Sequence, residues 1–333
     1  MRLVTFEAKK VQRVGALLAA AEKGGKDRVV DLVAAGKWLK SSRLQAASDM
    51  NTFLAAGKGA LSAAAAALKT VARELKGAKA IPAALRNVVH DRAKVRLCAP
   101  VPRPGKFICV GLNYRDHALE GGHEIPKVPT LFNKFTTSVV GPEDNIVLPK
   151  VVQLPDYEGE FAFVIGKKGR NISKKAALEH VAGYTIVNDV SARDFQKRTS
   201  QWMAGKAFDG FGVMGPALVT ADEIENPHNL SVKTTVSGKV MQSSNTNQLI
   251  FDVRDLIADI SQICTLEPGD IVATGTPSGV GIYAKPQRLL CDGDTVRIEI
   301  QGLGALENKV VAEKGAARKA PAKKKAKAKA KAA

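Results

Sequence analysis

The run Pro100-Val101-Pro102-Arg103-Pro104-Gly105 constrains this chain more than any other stretch. Each proline fixes φ and removes a backbone donor, so no helix crosses the run and the chain leaves it extended. Beyond it the sequence breaks into short runs rich in β-branched and aromatic residues, at 107–110, 145–148, 160–165, 183–188, 217–220, 231–236, 271–273 and 295–300. Gly, Pro, Asn and Asp punctuate them, as expected of strands. Segment 249–264 carries Leu249, Ile250, Val253, Leu256, Ile257, Ile260 and Ile263 at helical spacing, and 174–181 reads as a second, short helix. Strands and helices do not alternate regularly, which excludes a doubly wound parallel sheet. The expected class is α+β with a large, mostly β core.

Residues 1–95 have a different texture, rich in Ala and Lys. Segment 61–75 suits an amphipathic helix, and 29–39 and 52–56 read as shorter helices. We therefore expect a small N-terminal α/β domain at 1–95, the main domain at 96–313, and a low-complexity Lys/Ala tail at 314–333. The tail has too little apolar surface to offset its ordering entropy, so the expectation there is disorder.

The formal charge of the 333 residues is +18, which taken alone suggests a polyanion partner. It is unevenly placed: +11 in 1–95, −2 in 96–313 and +9 in 314–333. The central segment does not read as a polyanion binder. A polyanion contact through 314–333 would be salt-sensitive and, without aromatic residues to stack on bases, indifferent to sequence. Cys98, Cys109, Cys264 and Cys291 form no C-x-x-C and no zinc-finger spacing, so reduced thiols are expected. The first ten residues lack an apolar h-region, and no uncharged apolar run reaches the roughly 18 residues of a membrane span. The expectation is a cytoplasmic protein with no membrane partner.

Three clusters carry chemistry. In D-Y-E-G-E (156–160), Glu158 and Glu160 lie at i and i+2 of an extended chain and project to one face, with Gly159 between them leaving room for a ligand. Paired carboxylates repel, and a hard divalent cation relieves the repulsion. Oxygen-only ligands suit Mg²⁺, Mn²⁺ or Ca²⁺ rather than Zn²⁺. Asp189, after the apolar run 184–187, is available as a third acid. In G-L-N-Y-R-D-H-A-L-E (111–120), a helix over 114–120 would set His117 and Glu120 on one face, where the carboxylate orients the imidazole for taking a proton from water. In W-M-A-G-K-A-F-D-G-F (202–211), Lys206 among aromatic residues suits a fixed cation for a carboxylate or enolate oxygen.

Two glycine runs are set aside as nucleotide motifs. G-F-G-V-M-G (210–215) matches a dinucleotide fingerprint in letters only, because a proline and a β-like run follow where a helix is needed. G-T-P-S-G-V-G (275–281) lacks the Lys-Ser/Thr of a P-loop and reads as a tight loop whose N–H groups and Thr276 hydroxyl hold an anionic group. No G-x-S-x-G nucleophile elbow is present.

With N-D-V-S-A-R-D-F-Q (188–196) these motifs occur in an order that resembles the fumarylacetoacetate hydrolase family, over about 96–313. The resemblance implies a β-roll catalytic domain binding Mg²⁺ or Mn²⁺, usually as a homodimer, that acts on keto acids. It implies Glu158, Glu160 and Asp189 as metal ligands and His117 with Glu120 as the dyad that activates water. It implies Arg193, Gln196, Lys206 and Thr276 as contacts to the substrate or its enolate. The activity expected first is hydrolysis of a C–C bond in a 2,4-diketo acid of acylpyruvate or fumarylacetoacetate type. Decarboxylation or isomerisation of a 2-oxo dioate, or a ureidoglycolate-type lyase reaction, is the alternative on the same scaffold.

Overall fold

The structure is a computed structural model and describes residues 1–20, 26–78 and 80–314. The tail expected at 314–333 therefore lies, beyond Lys314, outside the described residues. The architecture is α+β with strands predominating, as the texture after Gly105 implies.

One twelve-stranded sheet forms the frame. Its central strands, Gly159–Ile165 and Val181–Asp189, are buried along their whole length. Such strands need apolar residues on both faces, and F-A-F-V-I and Y-T-I-V supply them. Phe161, Phe163 and Ile165 enter one core and Ala162 and Val164 the other. Strand Val181–Asp189 pairs on its far side with Gly212–Thr220, and Gly159–Ile165 pairs with Ile271–Ala273, which runs parallel to Phe107–Gly111. A five-stranded sheet, including Ser231–Val236 and Thr295–Ile300, covers the first core. These two strands alternate buried residues with exposed or half-buried ones, as a sheet with one face toward solvent requires.

The segment before Val95 joins the same frame. Strand Arg2–Ala8 pairs with Gly212–Thr220, with Leu3 opposite Leu218. Helix Gly57–Leu75 buries Ala60, Ala64, Ala67, Leu68 and Val71, a stripe of mostly small residues that packs into one core with Ala162, Val164, Met214 and Leu218. The helix expected over 29–39 is shorter. Val29 and Val30 lie in strand Arg28–Asp31, where β-branched side chains fit, and the helix Leu32–Trp38 starts only after Asp31, whose carboxylate accepts from the Ala34 N–H at 2.9 Å. Likewise the helix expected from 249 begins at Val253, because Asp252 caps it in a capping box with Asp255. Among the described residues no helix is long and apolar enough to cross a membrane.

Candidate active site

The site forms where the central strands end. Gly159 pairs with Asn188 and Glu160 with Val187, so Asp189 comes to lie beside Glu158, and its N–H donates to the Glu158 carbonyl at 2.9 Å. Glu158, Glu160 and Asp189 are all buried, and one oxygen from each falls within 4.8 Å of the others. Sheet register thus joins residues some thirty positions apart.

Three buried cations meet these acids. Lys206 Nζ donates to Glu158 Oε2 at 2.6 Å and to Asp189 Oδ2 at 2.9 Å. Arg193 Nη1 lies 2.6 Å from Glu158 Oε1, and its Nε donates to Asp156 Oδ2 at 2.9 Å. Lys134 Nζ lies 2.6 Å from Asp189 Oδ1 and also donates to the carbonyls of Val190, Lys206 and Phe211. Burial alone would push the Glu158 carboxyl up, but Lys206 and Arg193 outweigh it and hold the group at about 2. Glu160 forms no ion pair among the described residues. Burial, and the charges of Asp189 and Glu158 beside it, push its carboxyl well above the usual range. Burial opposes the charge on Lys206, and Asp189 with Glu158 more than restores it, so the ammonium is held.

His117 and Glu120 lie on helix Arg115–Glu120, with Nδ1 3.3 Å from Glu120 Oε2. The loop 275–282 fixes this helix and the acids together through its N–H groups. Gly275 donates to Glu160, Gly279 to Glu120, and Gly281 and Ile282 to Asp156, all at 2.8–3.1 Å. The loop is therefore an anion cradle, as read from the sequence, but the anions it holds are the protein's own carboxylates. The Thr276 hydroxyl is also engaged, donating to the Gly159 carbonyl at 3.1 Å and accepting from Gln242 Nε2 at 2.7 Å. Gly159 itself has a different reason from the one expected. A Cβ there would lie 2.2 Å from Thr234 Oγ1, so the glycine admits the second sheet rather than a ligand.

A cavity of about 360 Å³ is lined by His117, Glu158, Glu160, Arg193, Gln196, Lys206 and Thr276, with Phe132, Trp202 and Tyr283 among its other lining residues, while Glu120 and Asp189 stand behind this lining, bonded to His117 and Lys206. Arg193 Nη2 is buried and has no hydrogen-bond partner among the described residues. The acid cluster fits a hard divalent cation: its donors are all carboxylate oxygens, and Asp156, Glu158, Glu160 and Asp189 together outnumber Lys134, Lys206 and Arg193. Sequence reasoning missed Lys134, Asp156 and Gln242. Asp156 stood in a quoted motif, but Lys134 and Gln242 have no local signal, because only the register brings them in.

The family described as "Fumarylacetoacetate (FAA) hydrolase C-terminal" matches residues 106–311. Oxaloacetate tautomerase Fahd2a, mitochondrial, of Rattus norvegicus is 46% identical over 312 residues, which is 93% of this chain and 92% of that protein. The compartment in that name differs from the cytoplasmic one expected from the sequence. Among solved structures, 2-hydroxyhepta-2,4-diene-1,7-dioate isomerase from Mycobacterium marinum superposes with a TM-score of 0.69 at 31% identity, covering 94% of this chain and 99% of that one. Maleylpyruvate hydrolase from Sphingobium sp. SYK-6, in complex with manganese(II) and pyruvate, does so at 0.67 and 30%, again covering 94% and 99%. The five ordered motifs, the shared fold and the match over 106–311 lead to one conclusion: this chain belongs to the fumarylacetoacetate hydrolase family.

Proposed function

We propose that this protein catalyses a metal-assisted keto–enol proton transfer in 2-oxo dioic acids of the oxaloacetate type. The observation that carries the reading is that His117 and the buried Glu158, Glu160 and Lys206 line one cavity together. Similarity over 93% of the chain to a protein named oxaloacetate tautomerase supports it. Glu158, Glu160 and Asp189 would hold the metal, Mg²⁺ or Mn²⁺, which when bound supplies Lewis acidity at the 2-keto oxygen.

The chain's own groups do the rest. Lys206 keeps its charge and stabilises negative charge gathering on the C2 oxygen as the C3 proton leaves. His117, with Nδ1 committed to Glu120, uses Nε2 to carry the proton to or from C3. The unpaired Nη2 of Arg193 receives a substrate carboxylate. One proton leaves carbon and one arrives at oxygen, so nothing is oxidised and no water is consumed. The sequence expectation, hydrolysis of a 2,4-diketo acid, is the second reading, because the His117–Glu120 pair also suits removing a proton from water.

The test follows the ultraviolet band of enol-oxaloacetate with Mn²⁺ or Mg²⁺ present, beside the loss of an acylpyruvate. We expect the enol band to collapse faster with protein, and His117→Ala to slow it by about 10²-fold or more. Acylpyruvate cleavage without any effect on the enol band would replace the first reading by the second.

A further inference from the structure

The +11 of residues 1–95 plays no part in the active site. In the fold much of it gathers round a second cavity, of about 900 Å³, whose lining among the described residues falls between Ala8 and Val95. Lys9, Arg13, Lys26, Arg28, Lys37 and Lys94 line it, against one acid among the described residues, Asp91. Arg13 is tied to buried Asp31 at 2.9 Å, and Lys26 and Arg28 share Asp91 at 3.8 and 3.5 Å. Lys9, Lys37 and Lys94 form no ion pair among the described residues. Lys9 owes its place to a two-residue turn after the paired Ala8 and Val11, in which Lys9 and Lys10 take φ of 52° and 64°. Asn-Gly is the usual occupant of such a turn, and here two lysines stand in it.

Between the cations the lining is apolar, with Val33, Ala34, Ile81 and Val89. His90 also lines the cavity, and its Nε2 is buried without a hydrogen-bond partner among the described residues. An unpaired buried ring nitrogen is the kind of group a bound ligand satisfies. A lining that combines cations with apolar side chains selects a molecule with at least two negative charges on an apolar or flat body. Lysine ammonium groups serve as point charges for phosphate, and the volume lies within the range of small-molecule sites.

We propose that this cavity is a second ligand site, for a nucleoside di- or triphosphate, with the phosphates on Lys9, Lys37 and Lys94 and the base against Val33, Ala34, Ile81 and Val89. The test is calorimetric titration of the metal-free full chain at low salt with three probes: ADP, pyrophosphate and adenosine. We expect ADP to bind once per chain and more weakly as salt rises. Pyrophosphate and adenosine should each bind about tenfold or more weaker. Lys37→Glu with Lys94→Glu should lower ADP affinity by about tenfold or more. Both lysines are exposed and far in sequence from the catalytic groups, so turnover in that variant should stay at the parent level and reports that it is folded. Glu158→Gln should leave ADP binding unchanged, which separates this cavity from the active site. No saturable ADP binding, unchanged affinity in the double variant, or pyrophosphate binding as tightly as ADP would each overturn the proposal.

Discussion

A methyl group at position 159 would lie 2.2 Å from Thr234 Oγ1 and 3.2 Å from Gln242 Oε1. Gly159→Ala should therefore destabilise the protein by about 1–3 kcal/mol through overpacking. Thr234 Oγ1 has no hydrogen-bond partner among the described residues, so Thr234→Ala removes the obstacle without orphaning another group. The pair should be non-additive, with the double variant recovering most of the loss in denaturant unfolding. Simple addition of the two effects would mean that Thr234 is not the constraint. Lys134 is the second residue whose role appears only in three dimensions. It ties Asp189 to three backbone carbonyls, one of them belonging to Lys206. Lys134→Met leaves Asp189 with one cation instead of two and should cost about 3–5 kcal/mol. Calorimetric titration with Mn²⁺ should show weakened binding as well, because Asp189 is no longer held in place. A stable Lys134→Met with parent-level Mn²⁺ affinity would show that Lys206 alone positions the acid.

The element that decides the site's geometry is the loop 275–282. Asp156 accepts from the N–H groups of Tyr157, Gly281 and Ile282 and from Arg193 Nε. One buried carboxylate thus joins the loop to the short helix Arg193–Gln196. Asp156→Asn exchanges an acceptor oxygen for a donor and must leave at least one of these donors without a partner. Hydrogen exchange should report faster opening at Gly281 and Ile282, with the central strand Gly159–Ile165 still protected. Equal protection in the loop would show that the contacts of Gly275 and Gly279 suffice to hold it. The loop's glycines were visible in the sequence as a cradle for an anion. That the anions are Glu160, Glu120 and Asp156 was not visible, because it depends on which strand ends converge.

At the scale of the molecule, residues 1–95 are built into the sheet. Leu3 pairs with Leu218, Arg2 Nη1 donates to the Leu303 carbonyl at 2.9 Å, and helix Gly57–Leu75 shares its core with Ala162 and Val164. A chain starting at residue 96 would expose that core and one edge of strand Gly212–Thr220. We expect it to lose the cooperative thermal transition of the full chain, as read by calorimetry. A sharp transition at the parent Tm would establish instead that 96–333 folds alone. The sequence by itself determined the class of the fold, eight of the strands after Gly105, and the motif residues His117, Glu158, Glu160, Arg193, Gln196, Lys206 and Thr276 that now line one cavity. Those signals are local: alternation, turn residues and short spacings survive in one dimension. Strands Arg2–Ala8 and Val11–Leu18 are not legible in the sequence because their burial runs in blocks, Leu3 to Phe6 and Val14 to Ala16, instead of alternating along the strand. Tertiary structure alone decided that Lys134 and Gln242 reach the site, that Gly159 serves sheet packing, and that scattered lysines of the first 95 residues ring one cavity. Strand register and sheet packing decide each of these, joining residues whose separation along the chain carries no trace of their contact.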